Sequence, residues 1–392
     1  MRFNDSAGYM TVNFMHPDMR TWPVPLAYSL LHNDQNRVIA QAIVGCVTWV
    51  LFAHLATRNS RYPAALRAAV LAVGLAPQVT RFDSAILSES FAISASVLLA
   101  ATLIGAARSR NWRVPAVVAW ILFVFIRPEN LLVGVIAGCL VLVSVIVKRR
   151  TPSIAMAVVL FVGLGSIQQL RSITTVRNLN MYSVLAARIM TDSERYAWFV
   201  EHGMPNIPGI RYVEGYDYAP SIPQELRDYL GIPVEQDVPS IVTAGGMELA
   251  RWVRTDAWST YARRLVARPR ETFDFVSSYA GPSLNARSHT FLPTENRRIV
   301  PDWVFGTWQW WAVSASAGLL ALIVLSRTRD LFAVGVIAAA TIILFPLVTV
   351  ASGIEQQRHA AVVAVMLRLV ALAALTLGST TSPTVASDDE VR

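Results

Sequence analysis

The chain has 392 residues, enough for two or three soluble domains on length alone. Only 15% of them are charged and 54% are hydrophobic, against about 25% charged in a soluble globular protein, and mean hydropathy is +0.44. The apolar residues gather in blocks of membrane-spanning length, which excludes a water-exposed fold, and the excess behind the net charge of +8 is Arg in short turns between those blocks, orientation charge rather than a nucleic-acid-binding stripe.

Residues 1–36 are polar and hold neither a signal peptide nor a spanning helix; Met1-Arg2-Phe3-Asn4-Asp5 reads as the middle of a loop, so a further helix is expected ahead of Met1, with N-out insertion driven by the first apolar block as the alternative. Apolar blocks follow at about Val38–Ala56, Pro63–Ala76, Ala85–Ala107, Val114–Ile126, Leu131–Val147 and Ile154–Ile167. The second is short and contains Gly, so it is tilted or barely spans. A polar stretch, residues 168–303, interrupts the series, which resumes at about Val304–Ser326, Leu331–Ala351 and Ala360–Leu377. The tail, 378–392, is rich in Ser, Thr and Asp and predicts disorder. The expected fold is therefore an all-α polytopic membrane protein of about nine transmembrane helices: six in 37–167, three in 304–377, and a mainly helical loop domain in 168–303.

Arg58/Arg61, Arg108/Arg110/Arg113, Lys148/Arg149/Arg150 and Arg327/Arg329 all fall on one face when the chain is threaded through these helices. Positive charge in short loops stays in the cytoplasm. Residues 1–36, the turns at Thr80–Ser84, Arg127–Asn130 and Gly353–His359, and the long loop are thus extracytoplasmic, and the C-terminus is cytoplasmic. Lys148 is the only lysine amid abundant Arg, Ala and Val, a composition of GC-rich bacterial genomes, so a bacterial inner or plasma membrane is the expected location.

In the long loop, Tyr182, Leu185 and Ile189, then Tyr196, Trp198 and Phe199, predict amphipathic helices at the membrane surface, broken by Gly203-Met204-Pro205. A second helix is predicted over Gly246–Leu265 with Met247, Leu249, Trp252, Trp258 and Tyr261. Trp303, Trp308, Trp310 and Trp311 gather where the chain re-enters the membrane, as in an aromatic belt. Cys46 and Cys139 lie inside apolar blocks and read as buried packing residues.

Charged groups at the mouth of a helical bundle cost free energy to bury, so they are the first candidates for chemistry. Asp5 and Tyr9, followed by Arg20, lie in the first loop, where a solvated chain end is the plain alternative. Asp83, or its neighbour Ser84, could cap the following helix. Glu89 falls about one and a half turns inside it, near 8 Å at 1.5 Å per residue, where a carboxylate requires a partner, an aqueous cleft or a proton. Arg127 and Glu129 sit at one extracytoplasmic helix end, Arg358 and His359 at another; interfacial snorkelling would also account for the arginines. No Asp-x-Asp motif stands in the body of the chain and there is no Gly-rich phosphate loop, which leaves a nucleotide-sugar or ATP site without support.

These residues resemble the GT-C superfamily of membrane glycosyltransferases, polyprenyl-phosphate-sugar-dependent enzymes related to the protein mannosyltransferase and aminoarabinose transferase families. Three features carry it: Asp5 followed by Arg20 and Pro23 before a helix; Asp83 with Leu87-Ser88-Glu89 entering a helix; and a large loop ahead of the last helices, with Arg358 at a late turn. The resemblance implies that Asp5 is a general base, that Asp83 and Glu89 form a second acidic site assisting the acceptor or, in some relatives, holding a divalent cation, and that Arg127 and Arg358 face the lipid phosphate. The implied partners are a polyprenyl-phosphate-linked sugar donor and a glycan, lipid or protein acceptor with a free hydroxyl, and the implied outcome is inversion. A transporter or flippase for lipid-linked sugars, and a polysaccharide polymerase or ligase, remain alternatives on the sequence.

Overall fold

A computed structural model describes residues 20–148, 154–207, 218–219, 222–232, 238–284, 329–351 and 359–378. Within them every expected apolar block is a helix. The block at 304–326, the tryptophans at 303–311 and the tail from 379 onward lie outside the described residues.

The short α1 (Pro23–Ser29) leads into α2 (Asp34–Thr57), which starts at Asn33 because the Asn33 side chain accepts the Asn36 N–H at 2.8 Å. α3 (Pro63–Gly74) and α4 (Pro77–Thr80) each open on a proline, whose missing N–H costs nothing at that position, and a 3-10 turn, Arg81–Ser84, follows. α5 (Glu89–Arg108), α6 (Arg113–Phe125), α7 (Pro128–Lys148), α8 (Ile154–Ser172), α15 (Arg329–Ala351) and α16 (Ala361–Gly378) complete an apolar bundle. Two helices, Asp34–Thr57 and Glu89–Arg108, are long and apolar enough to cross a membrane singly. Two bent pairs, Pro63–Gly74 with Pro77–Ser84 (45°) and Met156–Ser172 with Thr174–Ile189 (65°), bring the candidate spans among the described residues to as many as four.

The direction of the chain follows from side-chain bonds. Near its start α2 reaches the segment before α5, where Gln41 Nε2 donates to the carbonyls of Asp83 (2.8 Å) and Ala85 (3.0 Å). Near its end it meets the end of α5, where Arg108 donates to the Leu55 carbonyl. The two helices are therefore parallel, and residues 58–88 return along their full length between them. Ile39, Ile43, Val47 and Val50, at helical spacing, form an exposed apolar stripe on α2, as do Leu140, Val143 and Ile146 on α7. Exposed to water, such faces would forfeit about 25 cal/mol for each Å²; against lipid they are at home. Cys46 and Cys139 lie on these outward faces, not in the packed interior where they were expected. On the inward face, α7 and α8 touch through backbone: a Cβ on Gly138 would lie 3.2 Å from the Gly163 Cα, the small-residue packing of helices that have no hydrophobic effect to drive them together.

A second apolar core stands apart from the bundle core. It is built from α9 (Thr174–Val184) with its π turn Leu185–Ile189, α10 (Ser193–Glu201), α11 (Gln224–Leu230), α12 (Ser240–Thr255) and α13 (Ala257–Ala267), and α14 (Pro269–Leu284) packs between α13 and the bundle helices α15 and α16. A two-residue antiparallel ladder, β1 (Tyr218–Ala219) and β2 (Val238–Pro239), crosses it. Tyr182, Leu185, Ile189, Tyr196 and Phe199, expected to face a membrane surface, are buried in this core. The helix expected over Gly246–Leu265 is two helices: the φ of +54° at Gly246 kinks the first, and the chain breaks again at Asp256, whose carboxylate accepts a hydrogen bond from the Thr255 hydroxyl at 2.6 Å. Arg188 fastens the unit to the bundle. Its guanidinium donates to the Thr349 and Val350 (2.8 Å) carbonyls at the end of α15, where a helix presents its negative pole.

Candidate functional site

Three local devices bring polar groups to one end of the bundle. At the α6–α7 turn, Pro128 opens α7, and the buried Asn130 Nδ2 donates to the Phe123 carbonyl at 2.7 Å, satisfying the end of α6. That turn holds Arg127 pointing inward, 4% exposed. Between the 3-10 turn and α5, the Gln41 amide takes the Asp83 and Ala85 carbonyls, and the Tyr28 hydroxyl donates to the Leu87 carbonyl at 2.9 Å while lying against Gln41 Oε1. These bonds give residues 85–88 an alternative to helix. α5 consequently begins at Glu89 itself, not one and a half turns earlier, and Glu89 occupies the first turn, where the helix dipole favours a carboxylate. At Ile173 the 65° bend between the α8 and α9 segments lays α9 across the same end.

Arg127 is the hub. Its Nε and Nη2 donate to Glu129 Oε2 and Oε1, both at 3.3 Å, a two-pronged clasp. Nη2 is 2.7 Å from His359 Nδ1 and 4.0 Å from Glu89 Oε1, and Nη1 reaches the His359 carbonyl at 3.5 Å. His359 Nδ1 also lies 3.5 Å from Glu129 Oε1, but one nitrogen cannot accept from Arg127 and donate to Glu129 together. Arg127 can only donate, so the 2.7 Å contact requires a lone pair on Nδ1 and the 3.5 Å contact to Glu129 requires a proton there. Glu129 precedes the apolar stretch that starts at Leu131. Burial pushes its carboxyl up, yet Arg127, with His359 beside it, outweighs burial and holds it well below the usual carboxylate range.

Arg20, Glu89, Arg127, Glu129 and His359, all singled out in the sequence, line one cavity of about 310 Å³. Leu132, Leu170, Ile173, Val176, Leu347 and Val350 line it as well, so its lining combines charged and aliphatic side chains. The lining residues not singled out for the site include three that can contact a polar ligand. Arg177 and Asn180 project from α9 at positions continuing the Leu170, Ile173, Val176 face, and Trp258 comes from α13, its Nε1 donating to the Arg177 carbonyl at 3.1 Å. For Arg177 and Asn180 the signal was helical spacing in a stretch read as the start of a loop, whereas Trp258 stood in an expected helix with no role at the site. The Arg177 guanidinium makes no ion pair or hydrogen bond among the described residues, and its Nε is buried. It is a cation facing a cavity with its donors available.

Asp83 does not share this cavity. It accepts from Ser90 Oγ at 2.6 Å and lines a separate crevice of about 250 Å³ with Gly45, Trp49, Leu71 and Ser94, on the other side of α5. Nor does it cap α5, which follows Ser88. The expected pairing of Asp83 with Glu89 in one acidic site is thus replaced by two separate environments. Asp5, Tyr9 and Arg358 lie outside the described residues. Among the described residues no group of three or more His, Cys, Asp or Glu side chains gathers as metal ligands.

Comparison with protein-family models, with curated proteins and with solved structures finds no match for this chain. The geometry of the site therefore carries the functional reading by itself.

Proposed function

We propose that the chain is a GT-C-type glycosyltransferase of about nine transmembrane helices, acting at the extracytoplasmic face of a bacterial inner membrane with its C-terminus in the cytoplasm. Its donor is a polyprenyl-phosphate-linked sugar and its acceptor a cell-envelope hydroxyl. One observation carries this reading: a single cavity divides its lining between charged groups, Glu89 and Arg177 among them, and aliphatic side chains from several helices. A polyprenyl phosphate has the same division, a charged head on an apolar chain. The stripe of exposed apolar residues on α2 and the basic turns Arg58–Arg61 and Arg108–Arg113 at the opposite end of the bundle from the cavity support the orientation.

In the proposed reaction a carboxylate takes the proton of the acceptor hydroxyl as its oxygen bonds to the anomeric carbon. The bond from that carbon to the phosphate oxygen breaks, and its electron pair leaves on the phosphate, where guanidinium donors stabilise the charge. Attack opposite the leaving group inverts the anomeric centre. Glu89 is the carboxylate the cavity supplies, and Asp5 is the one the family resemblance supplies. Arg177, unengaged, is better placed for the phosphate than Arg127, whose donors are spent on Glu129 and His359. Trp258 offers a ring face against which a sugar can lie.

The test uses protein in nanodiscs with a short polyprenyl-phosphate sugar and envelope extract as acceptor. Transfer is expected in the wild type and lost in Glu89→Gln or Asp5→Asn, with lipid binding retained in the inactive variant. Binding without transfer in the wild type would favour a carrier of lipid-linked sugars. Full transfer by both variants removes these carboxylates from the mechanism.

A further inference from the structure

We propose that a second, smaller cavity, walled by Arg188, Arg195, Arg264 and Glu271 with Tyr261 and Phe275, binds a phosphate-sized oxyanion and does so independently of the large cavity. The charges do not balance there. Glu271 is the sole carboxylate of the wall, and both its oxygens are taken: Oε1 accepts from Arg195 Nε at 2.8 Å and Oε2 from Arg264 Nη2 at 2.7 Å. Three guanidiniums thus meet one carboxylate in the wall; Arg195 is met further by Asp192, 4.0 Å from its Nη2, and by the Arg188 carbonyl. Arg188 spreads part of its charge over the α15 carbonyls and the Phe275 ring, 4.2 Å from its Cζ.

Arg264 points to a ligand by itself. It is 6% exposed, and its Nε and Nη1 have no hydrogen-bond partner, although buried charged donors left unmade are among the more costly defects in a fold. The cavity holds about 40 Å³. At roughly 10–15 Å³ for each water-sized position that is room for about three, which suits the oxygens of a phosphate group. The Glu271 carboxylate opposes an anion, and the two unmade donors of Arg264 offset it.

The site joins α10, α13, α14 and the π turn, and its Arg188 also grips the end of α15, so an anion there ties the second core to the bundle. Free phosphate can supply the group, and so can a phospholipid head, because α14 packs on α15 and α16 at the edge of the bundle.

The experiment takes the full chain in phosphatidylcholine nanodiscs and follows thermal unfolding while potassium phosphate is titrated against chloride of equal ionic strength. A saturable rise in midpoint is expected in the wild type. Arg195→Gln and Arg264→Gln are expected to weaken the apparent affinity about tenfold or more, the loss of one charge-assisted hydrogen bond. Should Arg264→Gln fail to fold, Arg195→Gln, on a half-buried residue, decides. Arg251→Gln, on an exposed arginine of α12 that lines neither cavity, is expected to leave the titration unchanged. A second arm adds phosphatidic acid to the nanodisc. A rise without free phosphate that Arg195→Gln abolishes assigns the site to a lipid head, and a rise in the titration alone assigns it to free phosphate. No saturable rise in either arm, a rise untouched by both Arg195→Gln and Arg264→Gln, or one removed by Arg251→Gln overturns the proposal.

Discussion

Arg127 and Arg177 line the same cavity and should answer opposite experiments. Arg127 is buried and clasps Glu129, with Glu89 and His359 beside it. Replacing it by Gln strands two carboxylates away from water, and breaking a buried ion pair from one side costs about 3–5 kcal/mol. Arg177 has no such partners, so Arg177→Gln should stay within about 0.5 kcal/mol of wild type in stability. Its loss should appear in ligand binding instead. A charge-assisted hydrogen bond to phosphate is worth about 1.5–3 kcal/mol, which converts at 1.4 kcal/mol per decade to a Kd roughly 10- to 150-fold weaker. Reversible unfolding in mixed micelles gives the first quantity, and titration of a short polyprenyl phosphate, followed by tryptophan fluorescence, gives the second. Destabilisation by Arg177→Gln as large as that by Arg127→Gln, or unchanged binding by Arg177→Gln, refutes the division of labour between the two arginines.

Two further outcomes follow from the packing and the charges. Gly138→Leu should cost about 1–3 kcal/mol or more through overpacking, because a Cβ at Gly138 already meets the Gly163 Cα at 3.2 Å; Gly335→Leu, with open space at its Cβ, is the control in the same unfolding assay. The Glu129 carboxyl is held below its unfolded value of about 4.3, so its stabilising contribution is fully present above that pH and is lost as pH falls through the folded value. The difference in thermal midpoint between wild type and Glu129→Gln should therefore be constant from pH 7 to about 5 and shrink only on stronger acidification; a gap that closes near neutrality contradicts the Arg127 clasp.

Much of the helical framework was legible because apolar runs of this length have few other solutions, and α2, α5, α7, α15 and α16 fall close to the expected blocks. The polar end was legible residue by residue, since Arg20, Glu89, Arg127, Glu129 and His359 all lie in one cavity. What periodicity could not supply was partnership. Nothing local says that Gln41, 42 positions upstream of Asp83, will take the carbonyls that would otherwise start α5 early, or that this shifts Glu89 to the helix end. The separation of Asp83 from Glu89 is equally non-local, set by which flank of α5 each side chain meets. The second core was misread for a related reason: an amphipathic helix has the same pattern whether its apolar face meets lipid or another helix, and α9, α10 and α12 met each other. Arg177 escaped notice because its meaning depends on what does not pair with it.

The most direct test is photo-crosslinking with a polyprenyl-phosphate sugar that carries a diazirine beside the phosphate, in nanodiscs, read by peptide mapping. Labels are expected on the segment 170–180 that turns from α8 into α9 and on Trp258 of α13, and unlabelled polyprenyl phosphate should displace them. Labelling confined to the Asp83 crevice or to the outward faces of α2 and α7, with no competition, would contradict a lipid-phosphate site in the large cavity.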